Sequence, residues 1–214
     1  MDQLSGCPVK RTMPDAIIAI ALASVAATYS PVVGQWLIYD RSAIIDGEIW
    51  RLVTGHLYHF SPLHLWCNLV PLVLIGACIE RQSGSWFTGV CLMMGMTIGV
   101  SLFFAHPSMV RFGGASGLVC GLFAYFGFSG VNARGSRGAV CRITLTVILL
   151  KIGFELYSGD ALWADWDDQG FVVMPLSHVV GFLSAPLYLL IQSMTASDIK
   201  KPFGPICAMD PRRP

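Results

Sequence analysis

The sequence is divided into long apolar stretches by short polar ones, and that alternation limits the chain to very few folds. A segment needs ~20 apolar residues to cross the hydrocarbon core of a bilayer. Six stretches meet or approach that length, at about 14–38, 62–80, 86–104, 113–131, 139–157 and 172–192. In lipid every backbone N–H and C=O must find its partner inside the protein, so successive apolar spans of this kind form helices rather than open sheet. With 54% of residues hydrophobic and 13% charged, little of the chain remains for anything else. The expectation is an all-α membrane protein: a six-helix bundle over 14–192, with tails at 1–13 and 193–214.

Six spans place both tails on one side of the membrane, and the basic residues say which side. Lys10, Arg11, Arg81, Arg134, Arg137, Arg142, Lys200, Lys201, Arg212 and Arg213 then share the tail side, while only Arg41, Arg51 and Arg111 fall opposite. Lys and Arg accumulate on the cytoplasmic side, so the tails are expected there, in a bacterial cytoplasmic membrane. A cleavable signal peptide would also explain Lys10-Arg11 ahead of an apolar run ending in small residues. Cleavage, however, would leave five spans and carry the basic C-terminal tail outside, so a retained first helix is the better reading. Pro31 and Gly34 are expected to bend its outer end.

Residues 39–61 are too polar to span and too apolar for an ordinary linker. Asp40, Arg41, Asp46 and Glu48 stand beside Ile49, Trp50, Leu52, Val53 and Leu57, a mixture suited to the membrane interface. Trp50 fits the headgroup level, and Arg51 can pair with Glu48 or with lipid phosphate. His56, His59 and His64 do not have the spacing of a metal set, and no HExxH occurs, so neither a metal nor a cofactor is expected. There is likewise no phosphate-binding glycine loop or basic nucleic-acid patch. The seven cysteines are scattered without a C-x-x-C, as expected of reduced core residues.

Polar residues within the spans carry the functional information. His64 and Asn68 are four apart and share a helix face, directed inward because polar groups in lipid are costly. They read either as an interhelical hydrogen-bond pair or as donors aimed at an oxyanion. Gly113-Gly114-Ala115-Ser116-Gly117 sets one hydroxyl among residues with almost no side chain, at the start of an apolar run. Small residues admit another backbone closely, and the first turn of a helix offers N–H groups to developing negative charge. His178 is the one histidine of the last span. Lys151 and Glu155, four apart in the fifth, are expected to neutralise one another without a catalytic part.

Taken together these residues resemble the rhomboid family of intramembrane serine proteases. Trp50-Arg51 is similar to the family's Trp-Arg motif, and His59, His64 and Asn68 fit its H-x4-H-x3-N. Glu80 with Gly84 fits the turn after that span, Gly114-Ala115-Ser116-Gly117 fits GxSG, and Ser177-His178-Val-Val-Gly181 fits the last-helix [A/S]-H-x-x-G. The resemblance covers roughly 48–192 and implies a six-helix rhomboid-like bundle with a water-filled cavity open to the outer face. Two positions depart from it. Cys120 stands where rhomboids usually carry an aromatic packed on the catalytic histidine, and Ala185 replaces a glycine one turn after Gly181. Support for the histidine is then looser or comes from elsewhere.

By that resemblance Ser116 is the nucleophile and His178 its base, a dyad with no buried aspartate as third member. The Ser116 N–H, His64 and Asn68 hold the oxyanion. His59, Gly114, Gly117, Gly181, Trp50 and Arg51 support the site. The substrate implied is a transmembrane protein, cleaved in or near its span. Small or helix-breaking residues in its outer portion would let it unwind into the cavity. Thr54-Gly55-His56 resembles the rhombosortase subgroup, which processes C-terminal Gly-Gly sorting tails. The loop from Ser158 to Gly170, with four aspartates and two tryptophans, is either a solvated outer loop or a lid. Two other classes stay open: an inactive rhomboid relative that binds membrane clients, and a transporter or channel built on the buried polar residues.

Overall fold

A computed structural model describes residues 15–83, 86–159 and 174–195. Helices α1 (Asp15–Tyr29) and α2 (Pro31–Leu37) are followed by a polar segment with strand β1 (Tyr39–Asp40), short helices α3 (Arg41–Ile45) and α4 (Arg51–Thr54), and a 3-10 turn, Gly55–Leu57. Then come α5 (Pro62–Ser83), α6 (Trp86–Ala105), strand β2 (Arg111–Phe112), α7 (Ser116–Gly130), α8 (Gly135–Ser158) and α9 (Pro175–Thr195). The chain is thus a helical bundle. Helices α5, α6 and α9 are each long and apolar enough to cross a bilayer, and α1 with α2 qualifies as one broken span. Apolar side chains such as Leu22, Leu74, Phe104, Leu150 and Leu183 are 63–76% exposed. An outward face of this kind suits lipid rather than water. The chain is an integral membrane protein.

The structure corrects the expected spans at three places. The bend expected at Pro31 within 14–38 is a full break: α2 turns away from α1 by 114°. Ser30 stands in extended conformation between them, its Oγ accepting from Val33 N–H, and Pro31 opens the new helix. Proline is well suited to a first helical position and ill suited to continuing an existing helix. Secondly, α7 begins at Ser116 rather than 113 and has 15 residues, about 22 Å at 1.5 Å per residue, well short of a ~30 Å hydrocarbon core. Thirdly, α8 has 24 residues and starts four residues before the expected 139. It carries Arg137, Arg142, Lys151 and Glu155. The expected lid or outer loop at 158–170 and both tails lie largely outside the described residues.

Helix α7 is central, packed between α5, α6, α8 and α9. The buried core cluster it belongs to also holds Leu65, Leu69 and Leu72 of α5 and Met94 and Ile98 of α6. Glu80, near the end of α5, accepts from the Ala16 and Ile17 N–H groups at 2.7 and 2.9 Å, capping α1 with a charge that its N-terminal dipole favours. On the same side of the bundle, away from Ser116, Tyr125 on α7 donates to Gln192 on α9, and Tyr188 on α9 reaches Thr97 and the Met93 carbonyl on α6. These bonds satisfy polar groups that would be costly unpaired in an apolar interior.

Candidate active site

The segment between α2 and α5 is built around Arg51, which is 7% exposed. Its Nε donates to Glu48 at 2.6 Å, and Nη1 donates to the Gln35 and Ile38 carbonyls at 2.7 and 2.8 Å. One guanidinium, with five donors in a rigid fork, therefore ties α4 to the end of α2. Trp50 donates its ring N–H to the Trp36 carbonyl at 3.3 Å. Trp36, Ile45, Ile49 and Trp50 project apolar surface outward, as an interfacial element does. A two-residue antiparallel ladder, Tyr39 with Phe112 and Asp40 with Arg111, joins this segment to the chain leading into α7. Asp40 also caps α3 through Ser42 and Ala43, and the Ser42 bond above all holds its carboxyl below the usual range.

The approach to Ser116 is clasped by residues 55–59. His59 Nε2 accepts from the Ala115 N–H at 3.3 Å, so the ring proton sits on Nδ1, which donates to the Leu57 carbonyl at 3.1 Å. Gly114 N–H donates to the Gly55 carbonyl at 3.4 Å. The His56 ring nitrogens lie 3.0 Å from the Gly95 carbonyl on α6 and 3.3 Å from the Gly114 carbonyl, and the neutral ring donates to one of them. His56 and His59 are thus engaged by backbone. Burial pushes both below the ordinary histidine range, His59 to about 3. Gly114 has φ +133, and a Cβ there would stand 2.9 Å from the His64 ring. That backbone region and that contact both exclude a side chain.

Ser116 is the first residue of α7. The ladder of α7 opens with Val119 N–H donating to the Ala115 carbonyl, so the Ser116, Gly117 and Leu118 N–H groups precede it. Its neighbour α9 comes close enough that a Cβ on Gly117 would lie 2.8 Å from the Ser177 carbonyl, and one on Gly181 would strike the Gly117 carbonyl. This approach brings His178 Nε2 to 2.8 Å from Ser116 Oγ. His178 is 3% exposed.

On its other side the imidazole meets α8. His178 Nδ1 lies 2.6 Å from Glu155 Oε2, and the other carboxylate oxygen lies 2.5 Å from Lys151 Nζ, itself 3.3 Å from Nδ1. A carboxylate accepts only, so the proton of His178 sits on Nδ1 and the Nε2 lone pair faces the serine hydroxyl. Lys151 and Glu155 pair as expected, and Glu155 also bonds the histidine. The sequence signal was available, since an ionisable residue inside a span suggests a functional site by default. Cys120, at the position of the missing aromatic, packs with Ile148 and Ile152 of α8. Ala185 is fully buried.

His64 and Asn68 are buried on α5, one turn apart. The His64 ring lies against Gly114 and His59, its centroid 4.9 Å from that of His59. Asn68 Nδ2 donates to the His64 carbonyl at 2.9 Å, which engages one of its two amide N–H groups. Among the described residues no three His, Cys, Asp or Glu side chains converge as a metal site.

A profile of the Rhomboid domain matches residues 46–195, well over half of the chain. The protein belongs to the rhomboid family. Among its relatives are the Rhomboid protease GlpG of Salmonella paratyphi A, 28% identical over 163 residues, and the GlpG proteins of Salmonella newport and Salmonella heidelberg, with the same identity over the same length. These alignments cover 75% of this chain and 55% of each relative, so the chain spans about half the length of the curated relatives it matches.

Proposed function

We propose that this rhomboid is an intramembrane serine endopeptidase that cleaves a peptide bond in or near a substrate's transmembrane segment. The observation carrying the reading is the 2.8 Å contact between Ser116 Oγ and His178 Nε2, at the N-terminus of a short helix inside the matched domain. His178 Nε2 takes the hydroxyl proton as Oγ attacks the scissile carbonyl, and then gives that proton to the leaving amine. Water hydrolyses the acyl-enzyme by the same exchange, releasing the new carboxyl terminus and restoring Ser116. The oxyanion is held by the Ser116 N–H at the start of α7, by His64, and by the second amide N–H of Asn68, a donor of this kind being worth about 3 kcal/mol.

The arrangement is that of six spans, with α1 and α2 forming the first and α8 the fifth, and with both tails cytoplasmic, as the distribution of Lys and Arg indicates. The substrate is a single span whose outer portion unwinds into the site. Backbone that leaves its helix there finds N–H and C=O partners, and small residues at the scissile bond suit a site whose approach, Gly113 to Ala115, has no side chain larger than a methyl. A fluorophosphonate probe tests the reading. The protein in lipid is expected to be labelled on one serine and Ser116→Ala not at all; absence of labelling in the parent would make it a client-binding or transport protein. Two model spans differing only in an outer-third Gly-Gly or Leu-Leu test the substrate class, and equal cleavage of both would refute unwinding. Cleavage of Gly-Gly sorting tails in preference to other spans would place the protein with the rhombosortases.

A further inference from the structure

The pair Lys151–Glu155 lies inside the bundle, where ionised groups are costly. Mutual neutralisation explains why neither stands alone, but it does not explain why both are kept, since a buried ion pair is often replaced by apolar residues at no loss of stability. Nor does it explain the direction of the carboxylate. Glu155 is 2% exposed and divides its two oxygens, Oε1 to Lys151 at 2.5 Å and Oε2 to His178 Nδ1 at 2.6 Å.

We propose that Glu155 is a positioning residue for His178: its carboxylate holds the imidazole proton on Nδ1, so that the Nε2 lone pair faces Ser116, and Lys151 is the counter-ion that keeps this carboxylate in place. The proposal rests on the serine-protease reading above and adds a third member to the Ser116–His178 pair. The alternative tautomer shows why it matters. Lys151 Nζ is 3.3 Å from Nδ1 and can only donate. Without a carboxylate between them, the ammonium bonds the Nδ1 lone pair and the ring proton moves to Nε2, where it points at Ser116 Oγ and cannot accept from it. Glu155 blocks that state and also stabilises the imidazolium that forms when His178 takes the serine proton. It also supplies orientation where Cys120 has no ring to lay against the imidazole. The chain brings the two groups together from α8 and α9, 23 residues apart in sequence.

The test is the inactivation of Ser116 by a fluorophosphonate in lipid, followed over probe concentration for the parent, Glu155→Gln and the charge-neutral double variant Lys151→Met/Glu155→Leu, which leaves no acceptor at 155, with unfolding measured in parallel. Glu155→Gln should lower the maximal inactivation rate by about a hundredfold to ten-thousandfold, with the half-saturating probe concentration unchanged within threefold. The double variant should regain the melting temperature of the parent, because no charge is left unpaired, yet remain more than tenfold slow. Recovery of its rate to within tenfold of the parent would show that Glu155 only neutralises Lys151, and would overturn the proposal. So would an undiminished rate in Glu155→Gln. If Glu155→Gln does not fold, the double variant decides by itself. A parent that does not react at all instead removes the protease reading on which the proposal stands.

Discussion

The two helix contacts that bracket Ser116 are built in opposite ways. Toward α9 the glycines of α7 meet backbone: Cβ atoms on Gly117 and Gly121 would come within 2.8 and 2.9 Å of the Ser177 and Gly181 carbonyls. Toward α8 the glycines of α7 meet side chains, Gly127 against Leu145 and Gly130 against Cys141 Sγ, and the upper part of that contact is filled by Cys120, Ile148 and Ile152. A backbone wall cannot change its rotamer, so the distance between the Ser116 and His178 main chains is set on the α9 side. A side-chain wall can, and there Lys151 and Glu155 act on the orientation of the imidazole. The site therefore separates placement of its groups from their adjustment.

The largest effect is expected where the two walls meet. Ser116→Ala and His178→Ala should each abolish cleavage of a model span while leaving the thermal melt intact, and the double variant should be no worse than either, because the two act as one unit. Losses that add would break the dyad. Asn68→Ala, remote from both walls on α5, should lower turnover by about tenfold to a thousandfold with substrate binding nearly unchanged. An effect confined to binding would make Asn68 a structural residue holding the His64 carbonyl.

The walls themselves are compared by matched alanine substitutions read as unfolding free energies in detergent. Gly181→Ala should cost about 1–3 kcal/mol, because the new methyl meets a carbonyl that cannot move aside without shifting α7. Gly130→Ala should change stability by less than about 1 kcal/mol, because Cys141 Sγ can rotate away and alanine favours the helix over glycine. Equal costs would erase the distinction between the two contacts. A further effect, confined to acid pH, belongs to the clasp before α7. His59 is neutral when folded, held to about 3 from an ordinary 6.5 mainly by burial. The unfolded chain takes up a proton below 6.5 that the folded protein refuses, so stability should be complete above that pH and decline steadily as the pH falls toward 3. The protonated ring would also lose the lone pair that accepts from Ala115 N–H. His59→Gln should flatten this part of the pH–stability curve, which a denaturation series over pH would read.

Much of this was legible in the sequence because it follows from local rules. Apolar length fixes spans, since backbone in lipid must bond within its own helix. Four-residue spacing fixes a shared face for His64 with Asn68, and the run Gly113 to Gly117 marks where a backbone can be approached. Ser116 and His178 could be singled out for that reason, as one hydroxyl among small residues and one histidine in the last span. What only the tertiary structure decided depends on how helices meet. That α1 breaks into α2 at 114° is a consequence of Ser30 and Pro31 together with the Arg51 guanidinium holding the far side. That Gly114 needs no side chain is decided by the His64 ring beside it, and that His59 serves the Ala115 N–H by a contact spanning 56 residues. Glu155 is the sharpest case. Sequence periodicity pairs it with Lys151 on one helix, but which face of α8 turns toward α9 is set by close packing of α7 between them, and no local spacing encodes a partner 23 residues away.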